Sequence, residues 1–95
     1  MRYIKSYVHT KGRVGALLEL EADADAAVES DEFRQLARGL VLHIAAGKPK
    51  SPSDLLEQPF LKDPEQLVSH RLYVVSTLLK TPIRITRFVR YDAGA

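Results

Sequence analysis

The stretch from Tyr3 to Leu20 constrains the fold most. Tyr3-Ile4-Lys5-Ser6-Tyr7-Val8-His9 has the aromatic and β-branched content of a strand, and Val14 to Leu20 has it in weaker form. Lys11-Gly12 lies between them, and glycine supplies the positive φ that a tight hairpin loop needs. With a two-residue loop, Tyr3 and Tyr7 share a face with Val14, Ala16, Leu18 and Leu20, which becomes the core side of a sheet. Ile4, Val8 and Leu17 then lie on the opposite face.

Ninety-five residues, 45% of them hydrophobic, predict a single domain over residues 1–95 with a modest core. A net charge of +2 is too small to argue for nucleic acid. With no cysteine there is neither a disulfide nor a thiolate metal site. No apolar run approaches the roughly 18 residues of a membrane span, and Met1-Arg2-Tyr3 opens into strand pattern without a signal-peptide core. The expectation is a soluble, cytoplasmic protein. Charge is segregated: Glu19 to Glu32 carries seven acidic residues and no basic one, while Lys48 onward carries eight basic against five acidic. The acidic run is either a solvated loop or a patch facing a partner.

Glu21 to Glu29 lacks strand alternation and reads as a loop or short helical turn. Ser30 is a helix N-cap, with Asp31 and Glu32 at the positive end of the helix dipole. Phe33, Leu36, Ala37, Leu40, Val41 and Ile44 recur at helical spacing, and Gly47 and Pro49 stop the helix. Gly47 to Asp54 reads as a linker, and Leu55 to Phe60 as an apolar anchor. Asp63-Pro64-Glu65-Gln66 predicts a second helix running to about Lys80, with Asp63 as N-cap and Pro64 at the first helical position. Its stripe of Val68, Leu72, Val75 and Leu79 is widened by Leu67, Val74 and Leu78, which predicts burial on more than one side. Ile83 to Tyr91 is the last strand. Strict alternation puts Ile83, Ile85, Val89 and Tyr91 on one face, and Arg84, Thr86, Phe88 and Arg90 on the other. The predicted class is α+β: a three-stranded antiparallel sheet with two helices on one face, in the order ββααβ.

No catalytic constellation emerges. His9, His43 and His70 lack metal-ligand spacing and read as surface or boundary residues. Asp23 and Asp25 lack the glycine and terminal Glu of a calcium loop. Gly12-Arg13-Val14-Gly15 precedes no helix, so it is no phosphate loop. The serines have no nucleophile-elbow context. No cofactor is implied. Arg84, Arg87 and Arg90 interleaved with Phe88 and Tyr91 could hold a single nucleic-acid strand; a charged edge strand explains them better.

Four blocks then resemble the core, or dimerisation, domain of bacterial elongation factor Ts in a shortened form. They are Tyr7-Val8-His9-Thr10-Lys11-Gly12-Arg13-Val14-Gly15-Ala16-Leu17-Leu18-Glu19-Leu20; Glu32-Phe33 with Leu36-Ala37, His43-Ile44-Ala45-Ala46 and Pro49-Lys50; Leu55-Leu56-Glu57-Gln58-Pro59-Phe60 with Lys62-Asp63-Pro64; and Ile83 to Tyr91 with Arg87-Phe88-Val89-Arg90. The resemblance implies a non-enzymatic nucleotide-exchange factor. Such a factor binds elongation factor Tu in its GDP form and loosens the magnesium and nucleotide site. It also implies where the partner binds. A Thr-Asp-Phe-Val motif of the family falls on Ala24-Asp25-Ala26-Ala27, so the wedge phenylalanine is Ala26 here. An Ile-Gly turn before the last strand falls on Leu79-Lys80. The family's N-terminal helical domain has no counterpart in these residues, and a long helical stretch between Pro49-Lys50 and Leu55 is reduced to a few residues. The expected partner-binding residues are Asp25, Ala26, Ala27, Leu79 and Lys80. A homodimer through the open sheet face is expected as well, since some family members pair through such sheets and an exposed apolar patch marks an interface. The alternative is a Ts-like dimerising module without exchange activity.

Overall fold

The computed structural model describes residues 1–94. Strands β1 (Arg2–Val8) and β2 (Val14–Ala22) form the hairpin. Tyr3 pairs with Leu20 and Tyr7 with Ala16, the register that a Lys11-Gly12 turn dictates. The turn itself is wider than two residues. The His9 N–H donates to the Val14 carbonyl at 2.8 Å, and Thr10 to Arg13 lie beyond the ladder. Gly12 holds a φ of 69°, so glycine is used as expected. Strand β5 (Ile83–Asp92) pairs antiparallel with β2, giving the sheet order β1-β2-β5.

After β2 come a single turn, α1 (Asp25–Val28), and the main helix α2 (Asp31–Gly47). Ser30 caps α2, its Oγ accepting from the Phe33 N–H at 3.1 Å. Phe33, Leu36, Ala37, Leu40, Val41 and Ile44 are all buried, in one core with Leu18, Leu20 and Ala22 of the sheet. Tyr3 meets the Phe33 ring edge-on at 5.5 Å. Each large side chain sealed here contributes about 1.5–3 kcal/mol of transfer free energy, so this layer holds most of the stability.

Past α2 the elements are more numerous than the sequence pattern predicts. Helix α3 (Pro52–Glu57) begins inside the expected linker, where the Ser51 Oγ accepts from the Asp54 N–H at 3.1 Å and Pro52 occupies the first turn. Strands β3 (Pro59–Phe60) and β4 (Asp63–Leu67) make a separate two-stranded sheet. Helix α4 (Val68–Leu79) starts four residues later than the Asp63 cap implies, with Leu67 rather than Asp63 at the N-cap. Asp63 to Gln66 offer no apolar group to bury as a helix. The same residues fit a short strand, with Pro64 near its start. The order is therefore ββαααββαβ rather than ββααβ, with four helices instead of two; the α+β class and the three-stranded antiparallel sheet stand. Val68, Leu72 and Val75 of α4 are buried, while Leu67 and Leu78 are exposed, so α4 is covered on one side.

The last strand carries a bulge. Glu19 pairs with Arg87 and Leu20 with Ile85, leaving Thr86 as the extra residue. Its hydroxyl lies 2.7 Å from Glu19 Oε1 and 3.0 Å from the Glu19 carbonyl. The bulge resets the alternation. Ile83 and Ile85 face the helices, and after Thr86 so do Phe88 and Arg90; Val89 and Tyr91 turn to the open face. Phe88 pairs with buried Leu18 and packs on the core rather than joining Ile4 and Leu17.

Two contacts lock α2 to the β3–β4 hairpin. His43, expected near the surface, is buried and stacks on Phe60. Its Nδ1 accepts from the Leu61 N–H at 2.9 Å and its Nε2 lies 2.8 Å from Gln58 Oε1, so Nε2 carries the proton. Gly39 leaves room for the same ring: a Cβ there would sit 2.7 Å from Phe60 Cζ.

Candidate functional site

The two segments that the resemblance singles out are joined through the residues beside them. Thr81, just past α4, is buried, and its Oγ1 accepts from the Asp23 N–H at 3.2 Å. Arg84 donates through Nη2 to Asp23 Oδ1 at 2.8 Å and through Nε to Glu21 Oε1 at 3.3 Å. The Asp23 hydrogen bond, and then its charge, hold the Arg84 guanidinium above its ordinary pKa. The lead into α1 is thus tied to the α4–β5 turn by one buried hydroxyl and one arginine fork.

Of the expected site residues, Asp25 and Ala26 are exposed on α1, whereas Ala27 is buried with Val28 and offers its side chain to the core. Leu79 is partly buried against the core. Lys80 is exposed and holds φ 58°, a left-handed conformation that normally favours glycine. The N–H groups of Lys80 and Thr81 donate to the carbonyls of Thr77 and Ser76, the Schellman closure of a helix. A lysine therefore holds the left-handed position of this helix end. In the sequence Thr81-Pro82 marks only the end of a helix and Arg84 only a strand residue, with no sign of the clasp they form. A threonine gives no local signal of a hydrogen bond 58 residues away in the chain.

The second surface is the open side of the sheet. Ile4, Val8, Leu17 and Tyr91 are 59%, 66%, 47% and 71% exposed, and Val89 joins them. Glu19 lies among them, buried. Its Oε1 accepts from the Thr86 hydroxyl and from Arg87 Nε at 3.2 Å, and its Oε2 from Arg87 Nη2 at 3.3 Å. These bonds, Thr86 first, hold the carboxyl below its ordinary value of 4.5. Among the described residues no three His, Cys, Asp or Glu side chains gather for a metal ion, and no helix is long and apolar enough to cross a membrane.

A clasped loop-and-turn surface and a bare apolar sheet thus stand on a small α+β frame. The elongation factor Ts family model matches residues 1–54, more than half of the chain, and the chain belongs to that family of translation factors. The elongation factor Ts of Acetivibrio thermocellus is 26% identical over 136 residues, covering 96% of this chain and 63% of the relative. That of Carboxydothermus hydrogenoformans is also 26% identical, with the same coverage. That of Rubrobacter xylanophilus is 29% identical over 134 residues, covering 94% of this chain and 69% of the relative. The chain thus spans 63% of the length of the first of these relatives. Because the alignments are longer than 95 residues, the relatives also carry internal sequence that this chain lacks.

Proposed function

We propose that residues 1–95 act as a single Ts-like core domain that binds elongation factor Tu and promotes its GDP release in the cytoplasm. The contact surface is the exposed part of α1, Asp25 and Ala26, together with Leu79 and Lys80; Ala27 supports α1 from below. The observation that carries this reading is the Asp23–Thr81–Arg84 clasp, which makes one rigid surface of two segments far apart in sequence. An exchange factor of this kind transforms no substrate covalently. It works by contacts that displace groups around a bound nucleotide. With one methyl group at position 26 the wedge is short, so the release it drives is slow.

The open sheet face is proposed to bind a second copy of the chain, because Ile4, Leu17, Val89 and Tyr91 stand exposed around a satisfied charge pair. Biolayer interferometry against the GDP form of elongation factor Tu tests the first interface. Saturable binding is expected, weakened by Asp25→Arg and by Lys80→Glu and unaffected by Leu17→Asp. Sedimentation equilibrium tests the second: a dimer at micromolar concentration is expected, and Leu17→Asp makes it monomeric. Absence of saturable binding overturns the partner assignment, and a monomeric natural chain overturns the dimer.

A further inference from the structure

We propose that the pocket between α2, the β3–β4 turn and α4 is a binding site for a phosphate-bearing anion. The cavity encloses about 300 Å³ and is lined by Gln35, Arg38 and Gly39 of α2, by Phe60 and Lys62 of the β3–β4 hairpin, and by Arg71 of α4. Three cations from three elements share it, and no carboxylate lines it. The β5 arginines each meet an acid: Arg84 with Glu21 and Asp23, Arg87 with Glu19, Arg90 with Asp92. Among the described residues, Arg38, Lys62 and Arg71 have neither an ion pair nor a side-chain hydrogen bond. Like charges gathered without a counter-charge repel one another. An anion in the cavity would reverse that term and meet two guanidinium forks, whose geometry suits phosphate oxygens.

The floor is preorganised. Phe60 is buried, its ring stacks on His43 with centroids 6.2 Å apart, and His43 is fixed through both ring nitrogens. Gly39 lets that ring pack directly on α2, since a Cβ there would sit 2.7 Å from Phe60 Cζ. An apolar, water-poor wall behind the cations strengthens their pull on an anion. The volume lies at the lower end for small-ligand pockets, about 300–1,000 Å³, so the ligand class runs from phosphate to a mononucleotide. Arg71 stands nine residues before Lys80, about 13 Å along the α4 axis, so the site is separate from the clasped turn.

The test is an NMR titration of the amide resonances of the full chain with inorganic phosphate, GDP and guanosine, at constant ionic strength set with chloride. Saturable shifts at Arg38, Gly39, Lys62 and Arg71 are expected with phosphate and with GDP, and none with guanosine. Tighter binding of GDP than of phosphate assigns the nucleotide as the source, and equal binding assigns free phosphate; both outcomes support the site. Arg38→Gln and Arg71→Gln should each weaken binding about tenfold, whereas Lys50→Gln, outside the pocket, should not. All three replaced side chains carry solvent-facing charge, and an unchanged melting temperature verifies each fold. Shifts spread equally over Lys11, Lys48 and Lys50, variants that bind as the natural chain does, or no saturable shift with phosphate or GDP each overturn the proposal.

Discussion

From Arg2 to Gly47 each element buries a face that its own residue spacing defines; from Lys48 to Asp92 the elements are placed by contacts made across the chain. In the first region, period two in the hairpin and period 3.6 in α2 point the same side chains into one core. In the second, β3 and β4 find each other, Phe60 rests on Gly39, and β5 takes its facing from a bulge opposite Glu19. The family model matches residues 1–54, which include all of the first region, while the relatives align with 96% of the chain. The difference teaches that the hairpin and helix are the frame, while the later segments are fitted to it one contact at a time. Substitutions in the frame should therefore unfold the molecule, and those in the fitted part should act through particular partners.

The largest effect should come from the frame. Leu40 is fully buried at the centre of α2, and Leu40→Ala should cost about 2–4 kcal/mol in chemical denaturation. An unchanged midpoint would mean that α2 presents another face. Next comes the joint between the regions. Gly39→Ala would put a methyl within 2.7 Å of Phe60, and overpacking of this kind costs about 1–3 kcal/mol. In an isolated helix the same change would stabilise, so the sign separates the two accounts. At the clasped turn, Lys80→Gly should stabilise by about 0.5–1 kcal/mol, because it relieves a left-handed residue with a Cβ. A loss there would show that the lysine side chain holds the turn.

The smallest effect is expected on the open face. Glu19 has a lowered carboxyl pKa in the folded chain, so its contribution is present above the unfolded value of 4.5 and is lost as pH falls through the folded value. Glu19→Gln should flatten that acid limb of stability against pH while leaving its neutral side nearly level. Arg87 is 75% exposed, so its pairing is screened and the Thr86 hydroxyl dominates. An acid limb as steep in the variant as in the natural chain would remove Glu19 from the account.

The frame was legible in the sequence because its signals are local. The Ser30 cap, the α2 stripe and the register of the hairpin all stand as the spacing implies. The fitted region was less legible for physical reasons. Asp63-Pro64 suits a helix start and a strand start equally, and the strand is accompanied by pairing with β3, Phe60 opposite Asp63, and by the Val68 N–H donating to the Gln58 carbonyl at 2.9 Å. The bulge at Thr86 has no signature within β5; its partner is on β2. Gly39 and His43 make sense only with Phe60 in place. Of the proposed site, Asp25 and Ala26 rest on resemblance and are exposed, Ala27 points to the core, and the clasp through Thr81 and Arg84 has no sequence signal.

The central claim is that α1 and the α4–β5 turn form the surface that acts on elongation factor Tu, with Ala26 limiting that action. Stopped-flow release of a fluorescent GDP from elongation factor Tu tests it directly. An aromatic anchor at an interface is worth about 2 kcal/mol or more, and a deficit of about 2.7 kcal/mol slows a step roughly a hundredfold. The account predicts slow release with the natural chain and a gain of about tenfold or more with Ala26→Phe, since the clasp already places position 26. Fast release by the natural chain, or no gain from Ala26→Phe with the fold intact, would contradict it.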